Sequence, residues 1–522
     1  MSNGPLGSGI PQAQGLCLAD RLLGNDRVTI CTISDGACME GEAKEAFSAI
    51  PGFAAKAQMN PFVLVISDNN AKLSGRIDED SFSMNPSLQA MAALGWDTTV
   101  IEEGNDLQTV YNAVEKGIAD ARSNPRKPVC LVMKTVKGYG VKSTEERPDG
   151  GHGFPLKKTG PELVSFVQEI FHDNPPQEFR DWADSLAAPA ESAPSGAAKT
   201  VKKTKVQTGI SKAAIRAAEE GYPVFSISAD LQGSTGIAGF QKAFPDRFLE
   251  VGVAESNMIS TGVGFSLAGF IPIVDTFARF GVTKGSLPLT MAQLSQAPVI
   301  GIFSHTGLQD AADGASHQPT DYFAAVSSIP HTQVVCCSCA DEAEAYTYEA
   351  IRYIAETRKS GKHADSIILF IGRESYPPSL QENARYEWGK AQVLREGNDV
   401  AIVATGPMVG KAIEAGNLLS GNGIQAAVIN NAFINRPDTE TIGKWVNACG
   451  GRLVTIEDHQ ITGGMGSLLC HALTRENIPL TLKSLGIDNR FGQSGYVADH
   501  LYDLHGLNEA KIVDAAKSML QS

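Results

Sequence analysis

Short apolar runs of strand length alternate with helical stretches along most of this chain. In the first third, the runs Val28–Ile33, Phe62–Ser67 and Val129–Met133 are predicted as strands. The stretches Glu40–Phe47 and Asp106–Ala121, which lie between these runs, are predicted as helices. Apolar strands that are separated by helices predict a parallel sheet with helices on both faces.

The same alternation occurs twice more, after a segment of different composition. Residues 187–206 are rich in Ala, Pro, Ser and Lys and have no apolar period, which is typical of a linker. The strands predicted beyond this segment are Val224–Ser228, Ile271–Asp275, Val299–Phe303, Ile367–Ile371, Val400–Thr405, Gln425–Ile429 and Arg452–Glu457. At 522 residues the chain is too long for a single core. We therefore predict the α/β class, with three consecutive open-sheet domains at residues 1–186, 207–378 and 385–522.

Composition and charge argue against several classes of protein. The net charge of −14 argues against nucleic acid as a partner. No uninterrupted apolar run reaches about 18 residues, so no membrane span is predicted. The cluster Cys336, Cys337 and Cys339 lacks the second pair of a zinc site, and we interpret it as the end of a buried strand. The N-terminus lacks the order of a secretory signal, so a cytoplasmic location with reduced thiols is predicted.

Polar residues follow two of the predicted strands in the first domain. Asp35 and Gly36 come directly after one strand, and Asn70 follows the next strand, 35 residues later. Asp35 offers a carboxylate oxygen, Asn70 an amide oxygen and Lys72 a backbone carbonyl, which are ligands that Mg²⁺ or Ca²⁺ prefers. Gly36 allows a phosphate to approach the backbone at a helix N-terminus. Since open α/β sheets bind ligands at the carboxyl ends of their strands, the pattern predicts a diphosphate site with a cation.

These two strand ends resemble the cofactor motif of thiamine-diphosphate enzymes, although Ser34 stands where that motif begins with glycine. Further segments that resemble the transketolase family follow in order over nearly the whole chain. In the first domain they are GPLGSGI (4–10), KTVKGYG (134–140) and HGFPL (152–156). Beyond the linker they are SADLQGS (228–234), VGVAESNM (251–258), DTFARF (275–280), DGASHQP (313–319), TIEDH (455–459) and FGQSG (491–495).

The resemblance implies that the cofactor is thiamine diphosphate, with Mg²⁺ or Ca²⁺ bound by Asp35, Asn70 and the backbone carbonyl of Lys72. It also implies that Glu255 sets its carboxylate against the pyrimidine ring of the cofactor. Glu40 is expected to link the two active sites of a homodimer. The cofactor-binding positions implied by the resemblance are Gly4, Leu6, Asp35, Gly36, Glu40, Asn70, Lys137, His152, Glu255, Phe277 and Phe280.

Histidines are prominent among the positions that the resemblance assigns to chemistry and to substrate binding. The implied catalytic residues are Glu255, His317, His152 and Glu40. The implied substrate contacts are His152, Ser234, His305, Asp313, His317 and Arg373. Imidazoles suit sugar hydroxyls because each can donate or accept a hydrogen bond and exchange a proton near pH 7. A guanidinium suits a phosphate because it binds two oxygens at once.

The implied activity is that of a transketolase, which transfers a two-carbon ketol unit from a ketose phosphate to an aldose phosphate. A related thiamine enzyme, deoxyxylulose-phosphate synthase, shares the domain order and is the alternative reaction. The resemblance further implies a homodimer whose active sites lie between subunits. The third domain is expected to serve packing and dimer contacts.

The resemblance fails in two places. Family members have about a hundred further residues before the segment that begins at Gly4, and two active-site histidines lie among them. In addition, the family register places an arginine near Thr208, whereas the next arginine here is Arg216. Three interpretations of the chain follow. It is a fragment of an ordinary transketolase, one half of a split enzyme with a separate N-terminal chain, or a non-catalytic relative.

Overall fold

A computed structural model of the chain describes residues 4–152, 161–187 and 203–521. The chain divides into two compact units. The first unit comprises Met1–Thr200 with Glu250–Ala254, and the second comprises Val201–Leu249 with Glu255–Ser522. Among the described residues, no helix is both long and apolar enough to cross a membrane.

The first unit is an open sheet with helices. Its strands are β1 Thr29–Ser34, β2 Phe62–Asp68, β3 Asp97–Ile101 and β4 Val129–Lys134. In the described part of this unit they form a parallel sheet in the order β1–β2–β4–β3. The helices of this unit are α1 Gly9–Leu22, α2 Gly41–Ala55, α3 Ile77–Asp80, α4 Asn85–Gln89, α5 Leu107–Ser123, α6 Lys142–Glu145, α7 Pro161–Ile170 and α8 Gln177–Ala187.

The two central strands of this first sheet, β2 and β4, are buried on both faces. Along β2, Phe62 and Leu64 belong to a core shared with α1 and α2, whereas Val63 belongs to a second core shared with α5. Since successive strand residues point to opposite faces of a sheet, helices cover this sheet on both sides. The prediction of a parallel sheet with helices on both faces is confirmed for this unit.

The second unit contains two larger sheets and a short strand pair. Its strands are β5 Thr204–Lys205, β6 Val224–Ser228, β7 Phe248–Glu250, β8 Ile271–Phe277, β9 Ile300–Ser304, β10 Thr332–Cys337, β11 Ser366–Ile371, β12 Ser375–Tyr376, β13 Gln392–Arg395, β14 Val400–Ala404, β15 Ala426–Asn430, β16 Arg452–Gln460 and β17 Thr481–Ile487. Over the described residues, one sheet has the order β10–β11–β9–β8–β6–β7 and the other has the order β13–β15–β14–β16–β17. Strands β5 and β12 pair separately and antiparallel.

The helices of the second unit connect these strands. They are α9 Thr208–Glu219, α10 Gln232–Thr235, α11 Ala238–Ala243, α12 Glu255–Leu267, α13 Ala278–Thr283, α14 Ser286–Leu294, α15 Tyr322–Ser327, α16 Ala340–Lys359, α17 Met408–Gly421, α18 Thr439–Ala448, α19 Met465–Arg475, α20 Ala498–Leu504 and α21 Glu509–Gln521. The parallel pairing of neighbouring strands such as β8 and β9, or β14 and β15, places their carboxyl ends at one edge.

The predicted α/β class with open, mainly parallel sheets is confirmed. Each of the three sheets lies in one of the three predicted domains, but the second and third domains pack into one compact unit, so the domain boundaries themselves stay a prediction. Edge strand β13 is antiparallel to β15, which the alternation did not predict. Strand β5 lies inside the predicted linker, whose residues 188–202 are outside the described ranges. Cys336 and Cys337 end the buried strand β10, as predicted.

Candidate active site

Asp35 lies at the carboxyl end of β1 and connects it to the end of β2. Its side chain is almost fully buried. One carboxylate oxygen accepts a hydrogen bond from the backbone N–H of Gly36 at 2.8 Å. The other oxygen accepts from the N–H groups of Asn69 at 3.0 Å and Asn70 at 2.6 Å. Burial raises the pKa of Asp35 to about 6 despite these hydrogen bonds, and the nearby carboxylate of Asp68 adds to the increase.

A cavity of about 210 Å³ opens at this edge of the first sheet, lined by Asp35, Asn70, Asp78 and other polar side chains. The amide oxygen of Asn70 accepts the N–H of Asp78 at 3.1 Å. The Lys72 carbonyl lies 3.5 Å from the Nζ of Lys137. The carboxylate of Asp35 and the amide oxygen of Asn70 suit a hard cation and are two of the three ligands predicted from the sequence. The third, the Lys72 carbonyl, belongs to a residue that does not line this cavity and stays a prediction. A cation that bound here would replace contacts that these oxygens now make within the protein.

Lys137 and His152 extend this group of residues. The Lys137 Nζ lies 3.4 Å from the Nδ1 of His152 as well as near the Lys72 carbonyl. His152 is exposed. The structure thus brings together residues from three predicted motifs of the first unit. The rest of the HGFPL segment, residues 153–156, lies outside the described residues.

Glu40 is buried at the N-terminus of α2 beside the first described residues. Gly7 has φ +86°, and a Cβ atom there would lie 2.6 Å from the Cβ of Glu40. Glycine is therefore required where the GPLG segment approaches Glu40. Leu6 is 41% exposed and Gly4 is at the start of the described residues, so these two cofactor positions remain predictions.

Glu255 is the first residue of α12 in the second unit, and it is 3% exposed. Its Oε2 atom has no hydrogen-bond partner among the described residues. The nearest cation is Lys284, whose Nζ lies 4.0 Å from this oxygen. A buried carboxylate oxygen without a partner is costly to a fold unless a ligand donates a hydrogen bond to it. This feature fits the role that the sequence predicted for Glu255.

Two phenylalanines and two histidines form a connected cluster near the end of β8. The rings of Phe277 and Phe280 are 6.2 Å apart between centroids and are nearly parallel. His305 stacks on Phe277 at 4.0 Å, and His317 contacts the edge of Phe280 at 5.3 Å. Four residues that the sequence predicted separately, for cofactor and for substrate, therefore lie together.

His305 is held as a neutral imidazole. It is buried, it has a φ of +60°, and its Nδ1 lies 2.9 Å from the hydroxyl of Ser304. The pKa of His305 is lowered to about 3, mainly by burial and in addition by the positive charges of Arg373 and Lys205. At neutral pH the ring therefore carries no charge, as the substrate role predicted for it from the sequence requires.

Arg373 is fixed by the loop that carries the two histidines. Its guanidinium forms an ion pair with Asp310, whose side chain is fully buried. The side-chain oxygen of Gln309 accepts the backbone N–H of Arg373. The pKa of Asp310 is raised to about 7, mainly by burial and in addition by the neighbouring Asp313 carboxylate. Asp310 therefore interacts with both Asp313 and Arg373, the two predicted substrate residues.

Three charged residues at this site were not identified from the sequence. Asp310 lies between His305 and Asp313, two predicted residues of the same loop, so its position in the sequence could have identified it. Lys284 and Lys205 reach the site from separate segments, and no local pattern distinguishes them. Ser234, a predicted substrate contact, lies half-buried in the short helix α10 and stays a prediction.

The C-terminal sheet of the second unit positions the loop between His305 and His317. The carboxylate of Asp458, on β16, accepts the N–H of Leu308 at 3.1 Å and the hydroxyl of Tyr502 at 2.7 Å. Gly495 donates its N–H to the carbonyl of Ala311 at 2.7 Å. The TIEDH and FGQSG segments therefore stabilise the site loop, a role beyond the packing and dimer contacts predicted for their domain.

Replacing Asp458 by alanine is expected to destabilise the second unit. The N–H of Leu308 and the hydroxyl of Tyr502 would lose a buried acceptor, at a cost of about 1–3 kcal/mol for each. Asp458→Asn is the matched control, because its amide oxygen still accepts a hydrogen bond. Differential scanning calorimetry of both variants measures the effect. Equal thermal midpoints for Asp458→Ala and the wild type would contradict this role of Asp458.

Comparison with known families agrees with this arrangement. The family model of the transketolase thiamine diphosphate binding domain matches residues 1–222. The model of the transketolase pyrimidine binding domain matches residues 202–362, and that of the transketolase C-terminal domain matches residues 389–512. These matches together span nearly all of the chain.

Individual relatives agree with these matches. A putative transketolase C-terminal section from Methanocaldococcus jannaschii is 33% identical over 291 residues, covering 55% of this chain and 87% of that protein. Transketolase-like protein 2 of Homo sapiens is 28% identical over 529 residues, covering 99% of this chain and 80% of that protein. A solved split-gene transketolase, an inactive beta4 tetramer, aligns with a TM-score of 0.53 and 29% identity over 61% of this chain and 98% of that chain.

Proposed function

Because this chain belongs to the transketolase family of thiamine-diphosphate enzymes, we propose that it transfers a two-carbon ketol unit from a ketose phosphate to an aldose phosphate. The observation that supports this most directly is the buried Glu255 with a carboxylate oxygen that lacks a hydrogen-bond partner among the described residues. Helix α12, which begins at Glu255, packs against β8, and Phe277 ends β8. An acid and an aromatic surface on neighbouring elements are what a pyrimidine ring requires.

The residues that would hold the cofactor lie on both units. Asp35, Asn70 and the Lys72 carbonyl would bind Mg²⁺ or Ca²⁺. The backbone at Gly36 and the side chain of Lys137 would face the diphosphate. Thiamine diphosphate, when bound, supplies the carbon nucleophile for the transfer. Glu255 would accept a hydrogen bond from the pyrimidine ring and so favour its reactive form.

Substrate binding is assigned to the cluster around His305. The neutral ring of His305 and that of His317 would contact sugar hydroxyls and move protons between them. Arg373, which Asp310 holds in place, would bind a phosphate group through its remaining N–H groups. His152, exposed in the first unit, is proposed to join the substrate site in the assembled enzyme.

We propose a homodimer in which Glu40 contributes to the contact between active sites, as the family resemblance implies. The alternative assembly contains a separate N-terminal chain. The similarity to a split-gene transketolase supports this alternative. A deoxyxylulose-phosphate-synthase-like reaction and a non-catalytic role are the alternative functions. The cytoplasmic location stays a prediction from the sequence.

Product analysis distinguishes these reactions. With xylulose 5-phosphate and ribose 5-phosphate, thiamine diphosphate and Mg²⁺, we expect new sugar phosphates two carbons longer and two carbons shorter, without release of carbon dioxide. A parallel reaction with pyruvate and glyceraldehyde 3-phosphate is expected to give no product. Carbon dioxide release from pyruvate, together with inert xylulose 5-phosphate, would contradict ketol transfer.

A further inference from the structure

The resemblance to transketolases places an arginine near Thr208, but this chain has no arginine at that point of the fold. Gly209 packs so closely that a Cβ atom there would lie 2.2 Å from the carbonyl oxygen of Ala340 on α16. No side chain fits at this position without moving the helix. The hydroxyl of Thr208 donates to the carbonyl of Lys205 at 2.7 Å. Neither Thr208 nor Gly209 can therefore supply the missing positive charge.

Lys205 lies three residues earlier, on the other side of this turn. It is exposed, and it is directly opposite Ser375 in the antiparallel pair of β5 with β12. Arg373 precedes Ser375 by two residues. Directly opposite residues of an antiparallel pair are about 4.5–5.5 Å apart between Cβ atoms. The strand pairing therefore brings Lys205 into the neighbourhood of Arg373.

Both cations act electrostatically on the same imidazole, that of His305. The charges of Arg373 and Lys205 each lower the pKa of this buried imidazole. The Arg373 guanidinium uses one terminal nitrogen for Asp310, and its side chain remains 41% exposed. The Asp310 carboxylate offsets part of the arginine charge, which makes a second cation more important for any dianion that binds here.

We propose that Lys205 is a specificity-determining residue whose ammonium, together with Arg373, binds the phosphate group of the sugar substrate. This proposal rests on the proposed function, because it names a residue of that same substrate site. A guanidinium binds two phosphate oxygens in a fixed geometry, and a flexible ammonium adds a point charge to a third. The pair would take the place of the arginine that the family resemblance puts near Thr208.

Steady-state kinetics with phosphorylated and with unphosphorylated xylulose test this proposal. Lys205→Met is expected to raise the KM for xylulose 5-phosphate about tenfold or more, because a charge-assisted hydrogen bond to the phosphate is lost. Its kcat and its KM for unphosphorylated xylulose should stay within about twofold of the wild type. Lys205→Arg is expected to recover most of the loss. Lys212→Met, an exposed lysine of α9 near Glu344, is the matched control.

Direct binding separates a failure of this proposal from a failure of the proposed function. Calorimetric titration of the cofactor-loaded chain with xylulose 5-phosphate is expected to give an affinity about tenfold weaker for Lys205→Met than for the wild type. If the wild type turns over neither ketose, the proposed function fails and this titration still decides the role of Lys205. Equal affinities of the two proteins, or no binding by the wild type, would overturn the proposal.

Discussion

Replacing Glu255 by glutamine is expected to lower the rate of ketol transfer about 10²–10⁴-fold, the usual contribution of a positioned acid–base group. Glutamine has nearly the same shape, so the packing of α12 should persist. The amide lacks the negative charge that would favour the reactive form of the pyrimidine ring. Steady-state kinetics at saturating thiamine diphosphate and Mg²⁺ measure the effect, and circular dichroism checks the fold.

Glu356→Gln is the matched control for this experiment. Glu356 is a half-exposed acid of the same unit that pairs with Lys359 at 3.0 Å. Its replacement should leave the rate within about twofold of the wild type, since surface ion pairs contribute little. Full activity of Glu255→Gln would show that catalysis does not depend on this acid, and would favour the non-catalytic alternative.

Replacing Asp35 by asparagine is expected to weaken metal-dependent cofactor binding about 100-fold or more. Loss of groups that only support a metal ligand already costs about 10–100-fold in affinity, and Asp35 is proposed as a ligand itself. Asparagine keeps one acceptor oxygen, which can still accept the N–H groups of Asn69 and Asn70, and circular dichroism checks that the fold is retained. Calorimetric titration with thiamine diphosphate in Mg²⁺ measures the change.

Asp120→Asn on the surface of α5 is the control for charge alone. Asp120 pairs with Lys116 on the same helix, away from the residues that line the cavity. Its variant is expected to bind the cofactor as the wild type does. An Asp35→Asn variant with unchanged affinity would remove Asp35 from the metal site and place the ligands elsewhere.

Strands with continuous apolar residues were predictable from the sequence, and the polar edge strand β3 was not. Strand β6 has the predicted bounds Val224–Ser228, because four of its five positions are buried and leave little ambiguity. In contrast, β3 was missed, because Asp97–Ile101 is polar, lies at a sheet edge and is mostly exposed. Such a strand is specified by its neighbour β4 rather than by its own pattern.

Residues within a motif were predictable at the site, and contacts between motifs were not. The neighbourhood of Asp35 and Asn70 follows from two parallel strands that end at one edge. The burial of Asp310 against Arg373 joins segments 63 residues apart in sequence. The contact of Asp458 with Leu308 spans 150 residues. Long-range packing alone determines these contacts. The sequence therefore could not predict that the C-terminal domain holds the site loop, and only the structure shows it.

The central claim is that this chain binds thiamine diphosphate through a metal ion. Isothermal titration calorimetry of the purified wild-type chain with thiamine diphosphate, in Mg²⁺ and then in excess chelator, tests it most directly. We expect binding near one site per chain in Mg²⁺ and loss of that binding in chelator. No binding in Mg²⁺, or equal binding in chelator, would contradict it.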